Sequence, residues 1–223
     1  MNVEQAYQAE LAAKGFSADP AQLRAVAALQ RCADDWAAYK AKRSNALKKL
    51  LNKPQIPQGV YMYGGVGRGK SFLMDCFFNA VPIKRKVRLH FHEFMREVHR
   101  ELVALQGMVN PLDVLGARIS KRYKLICFDE FHVADITDAM ILHRLLVSLF
   151  DNGVGFVTTS NFVPDGLYPD GLHRDRILPA IAWLNERMEV LNVDNGTDYR
   201  RRALEHVKLY HTPLGTEADA AMN

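Results

Sequence analysis

No apolar run in this chain approaches the roughly 20 residues that a membrane-spanning helix needs, so an integral helical membrane protein is not expected. The opening Met1–Gln8 has neither a basic stretch nor an apolar one, and no secretory signal is expected there. Only three cysteines occur among the 223 residues, none in a CxxC pair, which excludes a disulfide framework and points to a reduced, cytoplasmic protein. There is no internal repeat and no low-complexity segment. Charge of neither sign dominates: 29 Lys and Arg against 25 Asp and Glu leave +4, compatible with an anionic ligand but too little to argue for nucleic acid.

What is present is an alternation of two patterns. Residues 3–14 and 21–51 read as helical, the second opened by Asp19-Pro20, with Leu23, Val26, Ala27, Leu29 and Gln30 at near-helical spacing. Pro54 to Gly59 ends any helix. Apolar strands are then predicted at 60–63, 87–91, 125–128, 154–159 and 188–193. Helices are predicted between them at 70–79, 93–106, 111–123, 136–150 and 175–186. Near-continuous apolar strands separated by helices imply an α/β fold, a parallel sheet flanked by helices. The expected organisation is an N-terminal helical segment over 1–53 packing on a core over 54–204, with a partly disordered tail over 205–223.

Gly64-Gly65-Val66-Gly67-Arg68-Gly69-Lys70-Ser71 fits the phosphate-loop pattern G-x-x-x-x-G-K-[ST], between a predicted strand and a predicted helix. The glycines let successive N–H groups turn inward on a phosphate. The N-terminus of the following helix, beginning Lys70-Ser71-Phe72, adds to that anion hole. Lys70 can reach the β- and γ-phosphates of ATP, and the Ser71 hydroxyl can ligate Mg²⁺. Leu125 to Phe128 then delivers Asp129 and Glu130 to a strand end. Asp129 can hold the Mg²⁺ shell and Glu130 can take a proton from an attacking water. Many nucleotide kinases and small GTPases lack the second carboxylate, so its presence argues for ATP hydrolysis. The strand at 154–159 runs on into Ser160-Asn161. Asn161 can bond the γ-phosphate or the water if that strand neighbours the phosphate-loop strand; otherwise Ser160-Asn161 only opens a turn. Arg174 and Arg176 precede a helix, where an arginine can serve a neighbouring subunit's ATP as a finger or form a surface salt bridge.

These motifs together resemble the ZapE-like cell-division ATPases of bacteria and their mitochondrial relatives, within the AAA+ class of phosphate-loop NTPases. The matching stretches are Gly59–Asp75, His90–Met95 (HFHEFM), Cys127–Met140 (CFDEFHVADITDAM), Thr159–Asn161 with Pro164 and Asp165, Gly171–Ile181, and Asp198 to Arg200. The resemblance implies that Lys70 and Ser71 are the Walker A pair, Asp129 and Glu130 the Walker B pair, Asn161 the sensor and Arg174, rather than Arg176, the finger. It also implies a link to the division ring in bacteria, through the tubulin-like FtsZ polymer, and to protein quality control in mitochondria; remodelling of a protein partner is expected, and nucleic acid is not expected as a partner. Ser71 stands where threonine is commoner and Ile177 where phenylalanine is usual. Members of the family continue into a C-terminal helical lid with an RRF-type motif, and Arg200-Arg201-Arg202 comes too early to be it. The expectation is a chain with no clear lid, an open adenine side, weak homo-oligomerisation and slow hydrolysis.

Several residues keep two readings. His90, His92 and His99 can bind zinc, or pack and couple to the nucleotide. Gln22 can read the adenine edge or sit on the surface at a helix start. Cys127 reads as buried and inert, and Phe91, Phe94 and Met95 as core rather than a partner surface. The cations at 40–53 and Lys84-Arg85-Lys86 with Arg88 are a solvated face, or the contact of a helicase-loader-like ATPase with nucleic acid. A third reading is a nucleotide-binding module with little turnover.

Overall fold

The computed structural model describes residues 1–14, 18–45 and 54–194. The predicted features at 46–53, 195–204 and 205–223, including Lys48, Lys49, Lys53 and Arg200 to Arg202, lie outside the described residues.

Helix α1 is Val3–Lys14 and α2 is Pro20–Lys42. Asp19 caps α2 by accepting from the Ala21 N–H at 2.7 Å, and Pro20 fills its first position, where no N–H is needed. The helix was expected to reach residue 51. It ends at Lys42, with the Arg43 N–H returning to Lys40 O at 3.1 Å. Its apolar face runs Ala25, Leu29, Cys32 and Trp36 to the half-buried Tyr39, over whose ring Arg43 sits at the helix end. Leu23, expected on that face, is exposed, and Gln22 is buried in its place.

Strand β1 (Gly59–Tyr63) leads to α3 (Lys70–Ala80), and β2 (Lys86–His90) leads to α4 (Phe91–Ala104). Helix α5 (Pro111–Arg122) precedes β3 (Leu125–Asp129), and α6 (Ile136–Asp151) precedes β4 (Gly155–Ser160). Helix α7 (Leu178–Arg187) feeds β5 (Met188–Asn192). The helix expected from Asp175 is a single 3-10 turn over Arg174–Arg176, with α7 starting at Leu178 and a proline in its first turn. All pairings are parallel, in the order β2-β3-β4-β1-β5.

The period of two along each strand sends alternate residues to two cores. Ile126, Phe128, Phe156 and Tyr61 face α4 to α7, where Phe91, Phe94, Met95, Leu145 and Trp183 are buried. Val60, Met62, Leu125, Cys127 and Val157 face α1, α2 and α3. The N-terminal helices thus supply side chains such as Tyr7, Leu29 and Trp36 to the core beside the phosphate loop. In the order observed, β1 lies between β4 and β5, and the residues after β1, β3 and β4 converge at one sheet edge. Ligands of open α/β sheets sit at that carboxyl edge.

Candidate nucleotide site

Residues 64–69 join the end of β1 to the start of α3. Gly67 and Gly69 both sit at φ +81°, a left-handed backbone that an L side chain resists. A Cβ at Gly69 would fall 2.5 Å from Gln22 Nε2, so the loop and α2 touch there. Such turns, opening onto a helix N-terminus, make a backbone anion nest. The Lys70 ammonium donates to Gly64 O at 2.6 Å, Gly65 O at 2.7 Å and Asn161 Oδ1 at 2.9 Å. It ties the loop to itself and to the residue that follows β4. Val66 is exposed at the loop tip, and Phe72 packs its ring 5.6 Å from Tyr7.

Two supports join the loop to elements far away in sequence. The Asp194 carboxylate, two residues past β5, accepts from the Gly65 N–H at 3.1 Å and pairs with Arg68 Nε at 2.9 Å. Gln22 is 2% exposed; its Nε2 donates to Arg68 O at 3.2 Å and its Oε1 accepts from the Tyr7 hydroxyl at 2.9 Å. It is not a surface residue: both ends of its amide brace the loop against α1. Burial pushes the Tyr7 phenol above its ordinary pKa, so it stays a donor.

Asp129 ends β3 and is 9% exposed. Its Oδ2 accepts from Arg88 Nε at 2.6 Å, and its Oδ1 accepts from Arg88 Nη2 at 3.2 Å and the Thr159 hydroxyl at 3.4 Å. Arg88 Nη2 also reaches Ser71 O at 3.3 Å, and Nη1 is bound to Asp75 on α3. Burial pulls the Arg88 pKa down, but hydrogen bonds and charge from Asp129 and Asp75 outweigh it and leave the pKa raised. Ser71 and Asp129 are hard oxygen donors, and a cation already lies between them; the pair fits Mg²⁺. Glu130, one residue on, has φ +53° and an exposed carboxylate 3.8 Å from His90 Nδ1. Its N–H donates to Thr159 Oγ1 at 3.2 Å, and the Phe131 N–H to Thr159 O at 2.7 Å. Those bonds hold a left-handed residue that is not glycine, a strain of about 1–2 kcal/mol.

Asn161 follows β4, which is β1's neighbour with Tyr63 opposite Ser160. The condition set on it by sequence is met, and it sits at the phosphate loop through Lys70. Arg174 lies further along the same chain segment, its Nη2 donating to Asp165 O at 2.8 Å. Arg176 is exposed, 3.5 Å from its neighbour Asp175. The three histidines do not converge: the His90 and His92 rings are 5.6 Å apart, while His99 Nε2 is 2.7 Å from Asp138 Oδ1. Cys127 is buried, and burial pushes its thiol far up, so it is inert.

Of the cations weighed for nucleic acid, Arg85 and Lys86 are bonded to carbonyls at helix ends, as is the nearby Lys124. Arg85 donates to Ser120 O at 2.6 Å, near the end of α5. Lys86 donates to Phe78 O, near the end of α3, and to Val81 O at 3.1 Å. Lys124 donates to Asn152 O at 3.2 Å, past the end of α6. The helices end at this edge of the sheet, and the cations meet their carbonyls.

The AFG1-like ATPase family model matches residues 1–223. Cell division protein ZapE of Escherichia coli K12 is 51% identical over 166 residues, 74% of this chain and 44% of that protein. Lactation elevated protein 1 homolog B of Danio rerio is 41% identical over 184 residues, 77% of this chain and 37% of that protein. The chain therefore spans less than half the length of these curated relatives. Among solved structures, AMPPCP-bound DnaA from Aquifex aeolicus aligns with TM-score 0.56 at 14% identity, over 91% of this chain and 56% of that one. The DnaC helicase loader aligns with TM-score 0.55 at 13% identity, over 80% of this chain and 93% of that one. At such identities the likeness is one of fold, the phosphate-loop AAA+ core.

Proposed function

The chain belongs to the AFG1-like ATPase family, and from that premise we propose that it binds ATP with Mg²⁺ and hydrolyses it to ADP and phosphate. The observation that carries this is the convergence of Lys70, Asn161, Asp129 and Glu130 at one sheet edge, from three neighbouring strands and the loop between. On ATP binding the Lys70 ammonium leaves Gly64 O and Gly65 O for β- and γ-phosphate oxygens, which repay the lost bonds with full negative charge. The loop glycines and the first turn of α3 receive the β-phosphate. Ser71 Oγ and Asp129 would hold Mg²⁺, whose charge offsets that of the phosphates. Glu130, exposed and held outward by its left-handed backbone, accepts the proton of the attacking water. Asn161 orients that water or the γ-phosphate, and Arg174 of a neighbouring copy meets the developing charge.

Turnover would drive remodelling of a protein partner in cell division, with the division-ring polymer FtsZ as the candidate. The 51% identity to a cell division protein supports that setting. Nucleic-acid binding is not favoured, because Arg85, Lys86 and Arg88 are engaged with carbonyls and carboxylates. Among the described residues no helix is long and apolar enough to cross a membrane.

The test is phosphate release by the wild type and by Glu130→Gln, beside binding of a fluorescent ATP analogue. Binding by both with release only by the wild type is expected. Equal release by the two proteins would move the general base elsewhere, and no binding by either would overturn the reading.

A further inference from the structure

Strand β2 reads Lys86-Val87-Arg88-Leu89-His90, and its alternation is chemical as well as geometric. Val87 and Leu89 pack into the core under α4 and α5. Lys86, Arg88 and His90 face the other way, opposite Leu125, Cys127 and Asp129 of β3. The edge strand therefore lays a column of basic side chains along the α3 side of the sheet, rising toward the nucleotide site. Lys86 ends on carbonyls near the C-terminus of α3. His90 stands 3.8 Å from Glu130. Arg88, between them, spans Asp129, Asp75 and Ser71 O.

Two facts set Arg88 apart from a structural ion pair. It holds both oxygens of Asp129, at 2.6 and 3.2 Å, and touches the backbone of Ser71, so it stands between the two residues proposed to hold the divalent ion. It also has somewhere to go: Asp75, 60% exposed in its side chain, stays available to Nη1 when Nε and Nη2 release Asp129. A guanidinium carries five donors in a rigid fork, so one partner can be given up while another is kept.

We propose that Arg88 is the resident counter-ion of Asp129 and makes loading of the divalent ion conditional on nucleotide. This rests on the phosphate-loop reading of the site. Without nucleotide, the guanidinium neutralises the buried carboxylate and repels a free divalent cation a few ångströms away. When nucleotide arrives, its phosphates bring negative charge enough for both cations. Arg88 then passes Asp129 to the ion and keeps Asp75. It is a positioning residue, acting on the ion site through Asp129.

The experiment measures Mn²⁺ binding to the full chain by the loss of its free-ion electron paramagnetic resonance signal, with and without ADP. The wild type is expected to bind Mn²⁺ tightly only with ADP. Arg88→Met, which keeps the apolar stem and removes the charge, should bind Mn²⁺ without nucleotide at least 10-fold more tightly than the wild type, and Mn²⁺ should raise its melting temperature. Arg88→Lys, which keeps a charge but cannot fork across both oxygens, should lie between and guards against a misfolded Met variant. Asp129→Asn added to either variant should abolish the gain. If ADP binds but nucleotide-free Mn²⁺ affinity is the same in wild type, Arg88→Met and Arg88→Lys, the proposal is overturned and the site reading stands. If the wild type binds no ADP at all, the site reading itself fails.

Discussion

The Lys70 ammonium donates to Asn161 Oδ1 at 2.9 Å, across the boundary between β1 and β4. The phosphate-loop lysine and the residue proposed to sense γ-phosphate are thus hydrogen-bond partners. Their substitutions should separate. Lys70→Ala removes the charge aimed at the phosphates and should lower affinity for an ATP analogue by about 100-fold or more. Asn161→Ala should leave that affinity within a few-fold and cut hydrolysis by about 100-fold, the usual worth of one positioned donor. Equilibrium binding beside single-turnover hydrolysis checks both; an Asn161→Ala protein that binds poorly would make Asn161 a binding residue.

Glu130 should show a trade between stability and turnover. At φ +53° it carries strain that Asn tolerates better than Glu. Glu130→Asn should raise stability by about 0.5–1 kcal/mol, a melting temperature higher by about 1–4 °C in a chain of this size. Hydrolysis should fall by about 10²–10⁴-fold, as for any loss of a general base. Thermal denaturation and phosphate release on one preparation decide it, and a melting temperature that falls would place no strain at Glu130.

How much of this was legible in the sequence depends on chain distance. Gly64 to Ser71 is contiguous, and its chemistry could be read in place. Asp129 and Glu130 were legible because four apolar residues lead into them, and Asn161 because the strand before it ends in small polar groups. The contacts of Arg88 with Asp129, Asp194 with Gly65 and Gln22 with Arg68 O were not legible. Each joins elements made neighbours only by strand order or by the packing of α2, which periodicity does not encode. The basic, apolar, basic, apolar, basic alternation of Lys86 to His90 was visible, yet read as a patch because the strand's neighbours were unknown. The end of α2 at Lys42 was overrun for a related reason: Lys and Arg are good helix formers, so a run of cations carries no stop signal.

Gln22 gives a prediction that separates bracing from base reading. Its amide is bonded to Tyr7 and to Arg68 O, so Gln22→Ala strands the Tyr7 hydroxyl and frees the loop. A loss of about 1–3 kcal/mol in stability is expected for an unpaired buried polar group. Affinities for ATP and GTP should fall by the same factor, because the phosphate cradle is what loosens. Competition binding of the two nucleotides provides the check, and a loss confined to ATP would restore the adenine reading.

The last prediction concerns the arginines after β4. Arg174 is half-buried and tied to Asp165 O at 2.8 Å, while Arg176 is exposed beside Asp175. If Arg174 serves a neighbour's γ-phosphate, Arg174→Ala should cut turnover and leave the isolated subunit's nucleotide affinity unchanged. Mixing then discriminates the roles. A Lys70→Ala subunit binds ATP too weakly to be loaded at the assay concentration but still offers Arg174; an Arg174→Ala subunit binds ATP but offers no finger. Each lacks what the other has, so the mixture should hydrolyse faster than the sum of the two proteins alone, rising with total concentration as copies meet. Arg176→Ala should retain near-normal turnover and still complement Arg174→Ala or Lys70→Ala, since it removes only an exposed contact worth about 0–1 kcal/mol. A mixture no faster than its parts, together with a lowered melting temperature for Arg174→Ala, would make the bond to Asp165 structural and send the search for a finger to Arg176.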